Sequence, residues 1–140
     1  MWYGGNNAVR PVVSGKPLTR GIIEQRDRLL DLIMNHSTKL IAALTGDEHN
    51  YSLLHIDKKL PIYPENWEGP RLEKYRPFWQ INNGAAGAPY YGREKSPWAD
   101  HVKTFSTQNA LVLFHVDGTM IEVEVVNPDT LEEIDRYKIR

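Results

Sequence analysis

Asp47 and His49 stand two residues apart in the stretch Gly46-Asp47-Glu48-His49-Asn50. Carboxylate oxygen and imidazole nitrogen are ligands for zinc, iron and manganese, so the pair reads as half of a metal site. The same stretch also reads as a tight turn, because Gly, Asp and Asn suit turns for backbone reasons. A stable site needs three or four ligands, and the spacing alone leaves both readings open. Of the other four histidines, three read as capping or structural residues and only His101 stays open as a further ligand. His36 falls at an expected helix C-terminus, where a cationic imidazole is favoured. His55 and His115 fall inside expected strands as structural residues, and His101 falls in a loop. The glycines at 84 and 87 lack the Lys-Ser/Thr of a phosphate-binding loop. There is no cysteine, which removes thiolate metal sites and disulfides. No Ser/His/Asp or Cys/His arrangement is legible.

The elements that must position Asp47 and His49 follow from the flanking pattern. The apolar run at 40–44 stops at Gly46 and predicts a strand buried on both faces. Polar residues just past the C-terminal end of such a strand occupy the ligand position of open α/β sheets. Upstream, Thr19 is a plausible cap. Ile22, Ile23, Leu29, Leu30, Leu32 and Ile33 then predict a helix with one buried face, ending at 35–37. Downstream, 51–56 predicts a second strand and 57–76 an irregular, proline-containing stretch. A short strand is expected at 78–81, followed by a loop rich in Tyr, Gly and Pro that continues to about Thr104. Two β-prone runs, 110–116 and 120–126, flank Asp117-Gly118, a strong hairpin signal. Glu122 and Glu124 alternate on the solvent face. Residues 127–130 form a turn and 131–139 a further strand.

The chain has 140 residues and a formal net charge of −1, with Lys and Arg scattered. That argues for a single domain, 1–140, and against nucleic acid or an anionic membrane as partner. No apolar run approaches the roughly 20 residues of a membrane span. Residues 1–18 read as an extended arm without the basic and apolar regions of a signal peptide. The remaining sections are helix, strand, turn and strand over 19–56, a long loop region over 57–104 and the β-hairpin region over 105–140. Trp67, Trp79, Trp98 and Trp2 read as packing residues before an aromatic surface. A helix followed by a doubly buried strand is the second half of a βαβ unit, so the fold class expected is α/β, either with an incomplete sheet that belongs to a larger fold or with the later strands wrapping round to cover it.

The residues 26–32 and 39–52 resemble the last conserved block of calcineurin-like metallophosphoesterases, of the purple acid phosphatase-like superfamily. There a helix and a buried strand lead into Gly-His-x-His, commonly followed by Asn-Tyr. The run 80–89 looks like that family's later small-residue segment, and 110–126 like its C-terminal strands. The resemblance covers most of the chain from about residue 22. It implies an incomplete αββα sandwich, with one main helix and mostly antiparallel C-terminal strands. His49 matches the family's second histidine, a metal ligand. Asp47 stands where the first histidine is expected; it offers an oxygen ligand, biased towards manganese, or marks a degenerate site. The earlier motifs of the family, Asp-x-His, Gly-Asp-x-x-Asp, Gly-Asn-His-Glu/Asp and a lone histidine, do not occur here.

In the intact family two divalent ions (Mn, Fe or Zn) hold a hydroxide that attacks a phosphate ester. The resemblance therefore implies a C-terminal segment of a phosphoesterase, inactive as an isolated chain and prone to self-association through an exposed sheet edge. The alternative is a non-catalytic accessory domain contacting a partner through its Trp/Tyr-rich loop.

Overall fold

A computed structural model describes residues 12–13, 16–17, 22–65, 67–93 and 95–140. Thr19 and Trp2 lie outside the described residues. Two compact units form: one holds the helix and Asp57–Pro77, the other holds Ile41–Ile56, Phe78–Arg93 and His101–Arg140. Among the described residues the architecture is mixed α/β, with one α-helix, a four-stranded sheet and a three-stranded sheet. A two-residue antiparallel ribbon, β1 (Val12–Val13) with β2 (Lys16–Pro17), lies in the stretch expected to be an arm.

In the first unit, helix α1 (Ile22–Asp31) runs on as a wider π-type turn, Leu32–His36, closed by Ser37 N donating to Leu32 O at 2.9 Å. Its buried face is Ile23, Arg26, Leu30 and Met34. This corrects the expected apolar face, since Leu29 and Leu32 are exposed. The reason lies in Arg26, a charged residue that occupies a core-facing position. Its guanidinium pairs with Asp27 at 2.8 Å, donates to Ile62 O at 2.5 Å and lies over the Tyr63 ring. The Tyr63 hydroxyl donates to Asp27 at 2.6 Å and accepts from Leu72 N at 2.6 Å. A buried charge is tolerated when it is paired and hydrogen-bonded in this way. Burial, with the bond to Asp27, pushes the Tyr63 phenol up to about 12. As expected, residues 57–76 contain no helix or strand among the described residues.

The second unit holds both larger sheets. Strands β3 (Ala42–Thr45), β4 (Tyr51–Ile56), β5 (Phe78–Asn83) and β6 (Val102–Ser106) lie in the order β3-β5-β4-β6. β3 and β5 are parallel and the other pairs antiparallel. β7 (Leu111–Asp117), β8 (Met120–Val126) and β9 (Glu133–Lys138) form an antiparallel meander. The two sheets meet through Tyr51 and Leu53 of β4, Ile81 of β5, and Val123 and Val125 of β8, with Ala85 and Ala110. Fully burying each aliphatic side chain of this size contributes about 1.5–3 kcal/mol. Tyr51 also bridges the sheets by polar contact, its hydroxyl donating to Asp135 at 3.0 Å.

Three expectations for this unit are corrected. The strand at 40–44 is not buried on both faces: β3 is an edge strand, half-buried at Ala42 and exposed at Leu44. A short apolar run does not distinguish a central strand from an edge one. The loop to Thr104 is interrupted by β6, whose Val-Lys-Thr-Phe-Ser sequence has too weak an apolar alternation to announce a strand. In the β7–β8 hairpin, Asp117 pairs with Met120, so the two-residue loop is Gly118-Thr119 rather than Asp117-Gly118. Gly118 has φ 59° while Thr119 keeps a negative φ, the pattern of a turn with glycine at its first central position.

Candidate functional site

The strand order explains where the motif turn lies. β3 and β4 are consecutive in sequence, yet β5 runs between them. Residues 46–50 must therefore span two strand spacings, about 10 Å, across the C-terminal end of β5. The chain leaving β5 has to pass close beneath that bridge. Gly84 does so: a Cβ placed there would come within 2.2 Å of Glu48 O and 2.5 Å of Gly46 O. Only glycine permits that backbone approach.

The amide side chains at the end of β5 hold the turn down. Buried Asn82 donates from Nδ2 to Glu48 O at 2.9 Å and to Asn50 O at 2.8 Å, and its Oδ1 accepts from the Thr45 hydroxyl at 3.1 Å. Gly84 N donates to Asn50 O at 3.1 Å, and Asn50 N to Glu48 O at 2.7 Å. One buried amide thereby gives each of these two carbonyls a second donor beside its backbone one. The far end of the motif is fixed by Tyr51, which is fully buried. Burial, followed by the neighbouring Tyr137 and then Asp135, raises the Tyr51 phenol well above its ordinary value, so it remains a neutral donor.

His49 is half-buried, and Asp47 is exposed. His49 Nδ1 lies 2.8 Å from Pro89 O. A carbonyl oxygen only accepts, so this contact calls for a proton on Nδ1; the tautomer that meets it carries its lone pair at Nε2. The ring is stacked on Tyr91 at 4.3 Å between centroids and 14° between planes. Tyr91 N donates to His49 O at 3.1 Å, closing the contact between turn and loop. Loop 84–91 is itself tied to the start of β7: Ala110 N donates to Ala85 O at 3.0 Å, and the Tyr90 hydroxyl to Asn109 at 2.7 Å. Sequence reasoning missed Asn82, Pro89 and Tyr91. The only signal was the small-residue and tyrosine content of 82–93, which by itself reads as loop.

An imidazole fixed through Nδ1 by a backbone carbonyl is a common arrangement for a metal-ligating histidine. The donor chemistry at His49 therefore suits a divalent cation, and the Asp47 carboxylate adds an oxygen nearby in sequence. The set stops there. Among the described residues no three His, Cys, Asp or Glu side chains gather to hold a metal ion. The chain taken alone does not fit a two-metal centre.

The other singled-out residues have contacts of their own. His36 is exposed at the end of the helix and faces the Asp31 carboxylate at 3.3 Å. His55 lies against Trp79 in β4, His115 pairs with Glu124 at 2.8 Å on the outer face of the hairpin, and exposed His101 ends a 3-10 turn. Trp98 is buried, Trp79 packs against the sheet core, and Trp67 stacks on Tyr63. No helix of the described residues is long and apolar enough to cross a membrane. Comparison with protein-family models, curated proteins and solved structures gives no match.

Proposed function

We propose that this chain carries the last ligand-bearing turn of a metal-dependent phosphoesterase, and that it does not hydrolyse phosphate esters by itself. The observation that carries the reading is the state of His49: Nδ1 is spent on Pro89 O, so the ring offers Nε2 as a single directed lone pair. On this reading His49 supplies one nitrogen, and Asp47 one oxygen, to a divalent ion of the Mn, Fe or Zn class. The remaining ligands come from chain that bears the earlier motifs of the family. The αββα sandwich is completed by strands added at the β3 edge, which has no partner on its outer side among the described residues.

Bound metal at such a turn would supply charge stabilisation to a phosphoryl group and a nucleophilic hydroxide near neutral pH. The chain's own contribution is narrower. The turn fixes a ring nitrogen, and Asn82 and Gly84 fix the turn.

Two measurements test the reading. Sequencing the native transcript upstream of Met1 should reveal an in-frame extension encoding Asp-x-His, Gly-Asp-x-x-Asp and Gly-Asn-His-Glu/Asp. A ribosome site at Met1 with no such frame overturns the segment reading. The purified chain with added manganese should leave an aryl phosphate intact; turnover that disappears in His49→Ala would overturn the statement that it is inactive alone.

A further inference from the structure

The loop at 84–93 is more than a connection between β5 and β6. It reaches the motif turn at three points: Pro89 O against His49 Nδ1 at 2.8 Å, the Tyr91 ring against the imidazole at 4.3 Å, and Tyr91 N against His49 O at 3.1 Å. We infer that Pro89 and Tyr91 are positioning residues for His49: they commit its ring to the Nδ1-protonated tautomer and hold Nε2 as the free acceptor. This rests on the proposed function only in what Nε2 is for; the commitment of the ring stands on the geometry alone.

Each contact does a different part of the work. The Pro89 carbonyl selects the tautomer, because an Nε2-protonated neutral ring would set two lone pairs facing each other across 2.8 Å. The near-parallel Tyr91 ring limits rotation of the imidazole about its Cβ–Cγ bond, keeping Nδ1 aimed at the carbonyl. The backbone bond from Tyr91 N keeps residues 89 and 91 at the right height against residue 49. Since residue 89 is proline, its fixed φ narrows the conformations open to the loop at the point where the carbonyl must be presented. The loop is anchored in turn by Tyr90 to Asn109 and by Ala85 to Ala110. The positioning is thus tied to the three-stranded sheet rather than left to a free segment.

The test is tautomer measurement by two-bond 1H–15N correlation of the histidine rings in uniformly 15N-labelled chain above pH 8, with His49→Ala to assign the signal. The wild-type ring should show a pyrrole-type Nδ1 and a pyridine-type Nε2. Tyr91→Phe keeps the stack and should keep that pattern. Tyr91→Ala removes the stack and should shift the tautomer ratio towards Nε2–H by about fivefold, the effect of one contact of hydrogen-bond size. Tyr91 is about half exposed, so its truncation leaves the core in place. A wild-type ring protonated at Nε2, or an unchanged ratio in Tyr91→Ala, would overturn the inference. If the wild-type pattern and its loss in Tyr91→Ala are both seen while the upstream frame lacks the family motifs, the positioning stands and the phosphoesterase reading alone falls.

Discussion

Gly84→Ala is the sharpest perturbation of the motif turn, because the added methyl has nowhere to go. Its Cβ would meet Glu48 O at 2.2 Å, Gly46 O at 2.5 Å and Glu48 C at 2.8 Å, all backbone atoms. No side chain can swing aside, so the turn itself must lift. Overpacking of this kind costs about 1–3 kcal/mol. Lifting the turn also weakens the bonds from Asn82 Nδ2 and Gly84 N to the Glu48 and Asn50 carbonyls, and an unsatisfied buried carbonyl costs about 1–3 kcal/mol. Taking the middle of these ranges and allowing partial relaxation, the loss is about 3 kcal/mol. At this chain length that is a fall in Tm of about 10 °C. Gly92→Ala is the matched control, since a Cβ there meets nothing within 4 Å. Thermal unfolding followed by near-ultraviolet circular dichroism measures both. A Gly84→Ala transition within about 2 °C of Gly92→Ala would refute the close passage of β5's exit beneath residues 46–50.

Asn82→Ala should cost about 1–2 kcal/mol in urea unfolding, because the Glu48 and Asn50 carbonyls each lose one of two donors and the Thr45 hydroxyl loses an acceptor; a change below about 0.5 kcal/mol would show that water replaces the amide. Tyr63 and Tyr137 are both pushed up to about 12, burial being the larger cause in each. Unfolded phenols lose their protons near 10. Between those values the folded state holds more protons than the unfolded one, so stability is full below pH 10 and falls as pH rises towards 12. Phenolate absorbance and denaturation midpoints recorded across that window should show the fall, and Tyr63→Phe with Tyr137→Phe should make it shallower while the raised Tyr51 phenol keeps a remaining slope. Self-association should rise with concentration in sedimentation velocity, since β3 and β7 are both edge strands and β7 exposes Leu111, Phe114 and Val116; Val116→Lys should reduce it, and a monodisperse wild-type monomer at every concentration would count against open edges.

Local pattern made some of this molecule legible and tertiary context hid the rest. The hairpin at 110–126 is readable because alternation and a glycine turn are local signals, and even there the turn slipped by one residue to Gly118-Thr119. β4 reads correctly because it is a short, mostly apolar run, Tyr51 to Ile56, with buried residues on both faces. The stretch 40–44 misleads, since five apolar residues say nothing about whether a second neighbour strand is present. Arg26 reads as solvated surface until Ile62 O and Asp27 are brought to it from chain 36 residues away and one residue away, respectively. Within the candidate site, Gly46, Asp47 and His49 stand out by residue type. Asn82-Asn83-Gly84 reads as the start of a loop, whereas Asn82 and Asn83 are strand residues and Asn82 latches a turn 32–34 residues upstream. The contact of His49 with Pro89 spans 40 residues, a separation over which no local rule operates.

The central claim is that residues 46–49 face a divalent cation through His49 Nε2. Titrating Mn2+ into 15N-labelled chain and following paramagnetic line broadening tests it directly. Weak binding is expected, with broadening centred on the Asp47 and His49 signals and abolished in His49→Ala. Broadening that spares this turn, or that persists unchanged in His49→Ala, would contradict it.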